Sequence, residues 1–243
     1  MRLSKTGLNT YVKCPFAYYL HYKLKIPFDK TIEMGKGIDF HEKADQLFAQ
    51  ITPDGLAQAK NVESYLASFL PDEPLYKNFA HMQAIYYQGL SNKQEFFPIA
   101  RELYIDVEQM TGKPTPIDVL DVGYIDWISR VDGKMVLGEY KSGKFQRGIN
   151  QELMMYKVMY ETATGIKIDR VCALYPMELG GTQLPSGVYY KAPSHEDEAR
   201  AKVQLVKEEI LAELFNEKRH GGCQWCGVAG HCASIDDTIE VKI

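Results

Sequence analysis

Asp132 and Gly133 separate two stretches that read as strands, one running roughly from Val119 to Arg130 and the other from Met135 to Lys141. A two-residue hairpin turn needs positive φ at its central positions, and Asp-Gly supplies it at little steric cost. The turn also fixes a register. Val131 faces Lys134, and counting outward from that pair places Asp126 opposite Glu139. Side chains directly opposed across a hairpin have Cβ atoms only about 4.5 to 5.5 Å apart, where two like charges are destabilising unless something positive sits between them. Lys141 lies two residues beyond Glu139, so the strand's period puts it on the same face, while Tyr140 points to the other. One face therefore carries Asp, Glu and Lys together.

Hard oxygen ligands of this kind suit magnesium or manganese, which also bind phosphate oxygens. The matching chemistry is metal-assisted phosphodiester hydrolysis, with the Lys141 ammonium orienting water and offsetting developing charge. By spacing alone, a solvated sheet face with one salt bridge is the competing reading.

Around the hairpin the pattern alternates between helix and strand periods. Pro15 ends one short helix and begins another, and a helix from Gly37 has Ile38, His41, Ala44, Leu47 and Phe48 on its buried face. Residues 52 to 97 read as a helical insertion broken by Pro53, Pro71 and Pro74. Leu103, Ile105 and Val107 alternate as a strand, a helix covers 149 to 161, and further strands lie at Ile168 to Tyr175 and Val188 to Lys191. Ser194 with Asp197 forms a capping-box pattern for a last helix carrying Val203, Val206, Ile210, Leu214 and Phe215, which Gly221 and Gly222 stop. This order predicts one α/β domain over residues 1 to 243, with a central mixed sheet flanked by helices. A chain of 243 residues, 45% hydrophobic, buries an adequate core without disulfides or metals, so a cysteine cluster needs its own explanation.

Cys223, Cys226 and Cys232 form CxxCx5C, and Cys14 stands near the other end of the chain. In a reducing compartment such a set reads as a metal site, and four thiolates satisfy either zinc or a 4Fe-4S cluster. Joining residues about 200 apart, it would staple the terminal helices together, so its expected role is structural. Cys172 lies in an apolar strand and reads as a small buried hydrophobe.

GYIDWI (Gly123 to Ile128) followed by GEYKSGK (Gly138 to Lys144) resembles the core of the PD-(D/E)XK nuclease superfamily, an Asp followed by ExK on a hairpin. The GxxD form is that of the RecB-like branch. Two further motifs of that branch have counterparts: GxxxH in Gly37 to His41, and QxxxY in Glu152 to Tyr156, where the Gln position holds Glu152 and Gln151 lies one place early. A distant YxxCPxxY cysteine with three C-terminal ones resembles the iron-sulfur staple of AddB-type nucleases and of CRISPR-adaptation nucleases.

The resemblance implies a restriction-endonuclease-like fold with Asp126, Glu139, Lys141 and Tyr156 as catalytic residues, and His41, Asp126 and Glu139 holding magnesium or manganese. It implies an iron-sulfur loop at 220 to 235 joined to Cys14, with zinc as the alternative occupant, and DNA contacts from Lys144, Arg147 and Gln151. The expected activity is a deoxyribonuclease, exonucleolytic on single-stranded ends or flaps, serving CRISPR adaptation, phage recombination or repair with a protein partner. The alternative is a non-catalytic module that binds DNA ends or a partner.

A net charge of -4 counts against bulk DNA attraction, but Arg130, Lys134, Lys141, Lys144 and Arg147 outnumber the local acids. Tyr11, Tyr18, Tyr19 and Tyr22 offer stacking surfaces for bases, though core packing is the plainer reading. No apolar run suggests a membrane span or signal peptide, and the expected location is the cytoplasm.

Overall fold

The computed structural model describes residues 2–28, 32–145, 148–178, 188–191 and 194–232. Helix α1 (Lys5–Lys13) is capped by Ser4, whose hydroxyl accepts from the Gly7 N–H at 3.2 Å. Pro15 then opens α2 (Pro15–Tyr18), which widens into a π turn over Tyr19–Lys23. Helices α3 (Ile32–Gln50), α4 (Pro53–Gln58), α5 (Val62–Ala67) and α6 (Pro74–Gly89) follow, with proline in the first turn of α4 and of α6, where its missing N–H costs nothing.

The second half contains β1 (Ala100–Asp106), α7 (Val107–Thr111), β2 (Val122–Val131), β3 (Lys134–Tyr140), α8 (Ile149–Thr164), β4 (Arg170–Leu174), β5 (Val188–Lys191) and α9 (Glu196–Leu211). The strands form one sheet in chain order. All neighbours are antiparallel except β3 and β4, which are parallel because α8 carries the chain back between them. This is the mixed, helix-flanked sheet of a restriction-endonuclease-like fold.

The hairpin has the expected register, from Val131 opposite Lys134 to Trp127 opposite Gly138, with Asp132 and Gly133 at φ 51° and 76°. Period two then sorts two cores. Ile128, Leu137, Val171 and Ala173 pack with the buried side of α8 and α9, while Trp127, Val136, Tyr140, Cys172 and Leu174 pack with α3 and α6. Trp127 lies flat across Gly138, where a Cβ would fall 1.7 Å from the indole, so that position must be glycine for the ring to lie there.

Several local expectations are corrected. Helix α3 begins at Ile32, ahead of Gly37, and its buried side chains are Phe40, Ala44, Leu47 and Phe48. Ile38 is exposed and His41 sits at the margin of the stripe, half-buried. Strand β1 stops at Asp106 because that carboxylate caps α7, accepting from Gln109 N–H at 3.1 Å, so Val107 is helical. The capping box at Ser194 does not form: His195 is left-handed at φ 63° and offers no side-chain cap. Helix α9 ends at Leu211, well before Gly221, and Glu213 is left-handed just beyond it. Leu214 is exposed, while Phe215 turns back to stack on Tyr18. Tyr11 and Tyr18 are core residues, and Tyr22 stacks on Tyr18, which removes most of that aromatic group from any base-stacking role.

Candidate active site

Past the Trp127–Gly138 pair the hairpin strands exchange no further backbone pairing, and a side chain takes over: Asp126 Oδ2 accepts from the Tyr140 N–H at 2.6 Å. That bond fixes the carboxylate and leaves Oδ1 to His41, whose Nδ1 is 3.2 Å away. Glu102 on β1 joins them, with Oε1 3.8 Å from the same nitrogen. The pairing of Arg101 with Trp127 and of Leu103 with Ile125 puts Glu102 across from Asp126, and its φ of 43° breaks the regular strand there. Arg101 ties β1 to α3 through the Asp45 carbonyl at 2.7 Å, which keeps His41 over Glu102. Ligand atoms of His41, Glu102 and Asp126 all lie within 4.8 Å of one another.

Glu139 faces α8 at 3% exposure, and its Oε2 has no hydrogen-bond partner among the described residues. Its Oε1 accepts from Lys141 Nζ at 2.8 Å, and the same ammonium reaches Glu152 Oε1 at 2.6 Å. Lys5, from α1, reaches Glu152 Oε1 at 2.5 Å and lies 5.6 Å from the centre of the Tyr156 ring. Tyr156 packs against Gly123, where a Cβ would press on Met159 and Tyr156, so the glycine of GxxD lets α8 approach the sheet.

The electrostatics follow from this crowding. Burial, then the Asp126 carboxylate, pushes the Glu139 carboxyl up to about 8 despite Lys141 and Lys5. Burial alone would lower His41, but hydrogen bonds with Asp126 and Glu102 outweigh it and raise the imidazole to about 10. Glu152 goes the other way: burial opposes its ionisation, yet Lys5 and Lys141 bring it down to about 2. An acidic pocket with a buried oxygen lacking a donor is chemically suited to a divalent cation, which would reverse the repulsion that protonation now relieves.

The structure thus brings together His41, Asp126, Glu139, Lys141 and Tyr156, and adds Glu102, Glu152 and Lys5. Gln151 does not enter; it accepts from Lys202 on α9 at 2.8 Å, and Glu152 takes the inward place. Lys144 is exposed just beyond β3, and Arg147 lies outside the described residues. Arg130 and Lys134 sit at the turn end of the hairpin, remote from the carboxylates, so the basic residues do not form one patch.

At the far end of α1, Cys14, Cys223, Cys226 and Cys232 line one cavity of about 20 Å3 under Leu20 and Val228. Burial raises the Cys226 thiol, and the other three cysteines raise it further. Cys172 stands apart, buried in β4. Trp225 and His231 are exposed.

The mixed sheet thus presents Asp126, the Glu139–Lys141 pair and the helical His41 together at the ends of β2 and β3. The chain matches the PD-(D/E)XK nuclease superfamily over residues 2–233 and belongs to it, which implies a metal-dependent nuclease. It is 23% identical to the Gene 69 protein of Mycobacterium phage D29 over 264 aligned residues, covering 94% of this chain and 95% of that one. Among solved structures it is similar to SSO0001, at 14% identity and a TM-score of 0.40, covering 93% of this chain and 84% of that one. No helix among the described residues is long and apolar enough to cross a membrane.

Proposed function

We propose that the protein is a magnesium- or manganese-dependent deoxyribonuclease of the RecB-like branch, acting as an exonuclease on single-stranded ends or flaps. The observation that carries this reading is the meeting of His41, Glu102 and Asp126 beside the buried, partnerless Oε2 of Glu139. Those four side chains would hold the ion, which when bound supplies charge to polarise a phosphate oxygen and acidify water. Lys141 keeps its ammonium at the same edge, positioned to orient the attacking water and offset charge building on the phosphate. Tyr156 closes the α8 side, Lys144 just beyond β3 would contact a phosphate of the DNA strand, and Arg147, outside the described residues, is proposed for the same role from the sequence.

The four cysteines would hold a 4Fe-4S cluster as a structural staple. Tetrahedral zinc, at about 2.3 Å from each sulfur, would draw the sulfurs to within about 4 Å of one another. The four thiolates line one cavity and would satisfy that ion as well, and it is the resemblance of their spacing to iron-sulfur nucleases that favours the cluster. Of the three settings, CRISPR adaptation, phage recombination and repair, the match to a phage protein over 94% of this chain favours the phage one.

The test is cleavage of end-labelled linear and circular, single- and double-stranded DNA with manganese, using Glu139→Gln as control. Stepwise shortening of linear single strands is expected. Cleavage of circles would contradict the exonuclease reading, and binding of ends without cleavage would favour the non-catalytic module. A brown protein with iron in excess of zinc is expected after anaerobic preparation; a colourless one with stoichiometric zinc would overturn the iron-sulfur assignment.

A further inference from the structure

Lys5 and Lys141 both place their ammonium groups on one carboxylate oxygen, Oε1 of Glu152, at 2.5 and 2.6 Å. The three side chains are only 13–20% exposed, so their charges are poorly screened. Lys5 also stands 3.9 Å from Glu139 Oε1, the oxygen that Lys141 occupies at 2.8 Å. Its place is fixed from behind: the Leu3 N–H donates to Asp121 Oδ2 at 2.7 Å, Asp121 N–H returns to the Leu3 carbonyl at 2.9 Å, and Ser4 caps the helix that Lys5 begins.

Each charge makes sense only with the other. Without Lys5, Glu152 would keep a full negative charge with Lys141 as its remaining partner and draw it from Glu139. Without Glu152, Lys5 would be left facing another ammonium, and the nearest carboxylate oxygen is that of Glu139. It would then compete there with Lys141 and repel an incoming cation. We infer that Lys5 and Glu152 are a charge-matched pair of positioning residues that together hold Lys141 on Glu139, so that the N-terminal helix is a working part of the active site. This rests on the nuclease reading and adds two residues to it.

The experiment is a double-substitution cycle: wild type, Lys5→Met, Glu152→Gln, both together, and Lys5→Arg. Each is assayed for kcat and KM on a labelled single strand with manganese, for manganese affinity by calorimetry, and for melting temperature. Each single substitution should lower kcat about tenfold with KM little changed, and the double should recover to within about threefold of wild type, a coupling in the range of contacting charged groups. Glu152→Gln should also weaken manganese binding, and Lys5→Arg should keep most of the rate. Losses that simply multiply in the double variant would overturn the inference, as would a rise in KM alone after Lys5→Met, which would make Lys5 a substrate contact. A wild type that cuts nothing would sink the nuclease reading, and the pair would then stand or fall on coupling in manganese affinity and melting temperature.

Discussion

The two ends of α1 serve two sites built on opposite plans. At its start, Lys5 meets carboxylates carried by β3 and α8 and backed by a large core. At its end, Cys14 meets cysteines carried by 3-10 turns and a loop, backed by a satellite core of Cys14, Ala17, Leu20 and Val228. The carboxylates are held in place by strands and α8, so the repulsion of Glu139 by Asp126 is stored in the folded protein and shows in the raised Glu139, while His41 is raised by its attraction to Asp126 and Glu102. The cysteines on short turns have little else to hold them, and the proposed cluster would contribute to folding itself. The first site should thus fail in chemistry when altered, and the second in stability.

The largest effect should come from the carboxylates. Asp126→Asn or Glu139→Gln should lower cleavage by at least about a thousandfold, several kcal/mol of transition-state stabilisation, while the metal-free Glu139→Gln protein, relieved of its buried repulsion, melts no lower than wild type. Lys141→Ala, which removes a cation and no metal ligand, should cost about 100-fold in rate and leave metal binding in place. Labelled-DNA kinetics beside thermal unfolding on the same preparations read both quantities. If these variants unfold instead, the rigid-site half of the comparison fails.

Cys226→Ser should do the reverse, lowering the melting temperature by roughly 5 to 10 °C, or about 2 to 3 kcal/mol for a chain of this size, with the manganese dependence of remaining cleavage unchanged. An unchanged melting temperature would remove the distinction between the sites.

A smaller effect is expected with pH. His41 is raised from 6.5 to about 10, so the stability it contributes is complete below 6.5 and is lost as pH climbs toward 10. Glu139, raised from 4.5 to about 8, prefers its protonated form in the fold, and its ionisation costs stability over that interval. Both signs agree: without divalent metal the melting temperature should fall between pH 6.5 and 9, and Glu139→Gln should flatten the fall. A melting temperature that rises over that range would contradict the stored repulsion.

The Asp126–Glu139 hairpin was legible because a two-residue turn fixes register over short range, and both motif glycines have physical reasons: Gly138 makes room for Trp127, and Gly123 lets α8 approach. Glu102 was not legible, since β1 reaches β2 through a helix and a long connection that set no countable register. Lys5 was hidden by distance, meeting Glu152 across 147 residues. Glu152 was visible as the departure from QxxxY, but its meaning depends on Lys5. The α9 cap failed because a left-handed His195 separates Ser194 from the helix, a backbone choice that the capping pattern does not encode.

A divalent-metal site on the Asp126–Glu139 face should show itself without any substrate, in manganese titration followed by thermal unfolding. At about a hundred times its dissociation constant, a ligand specific to the folded state adds roughly 2.7 kcal/mol of apparent stability. Wild type should gain melting temperature to match, while Asp126→Asn and Glu139→Gln gain much less. Equal gains in all three proteins, or none in wild type, would contradict the account.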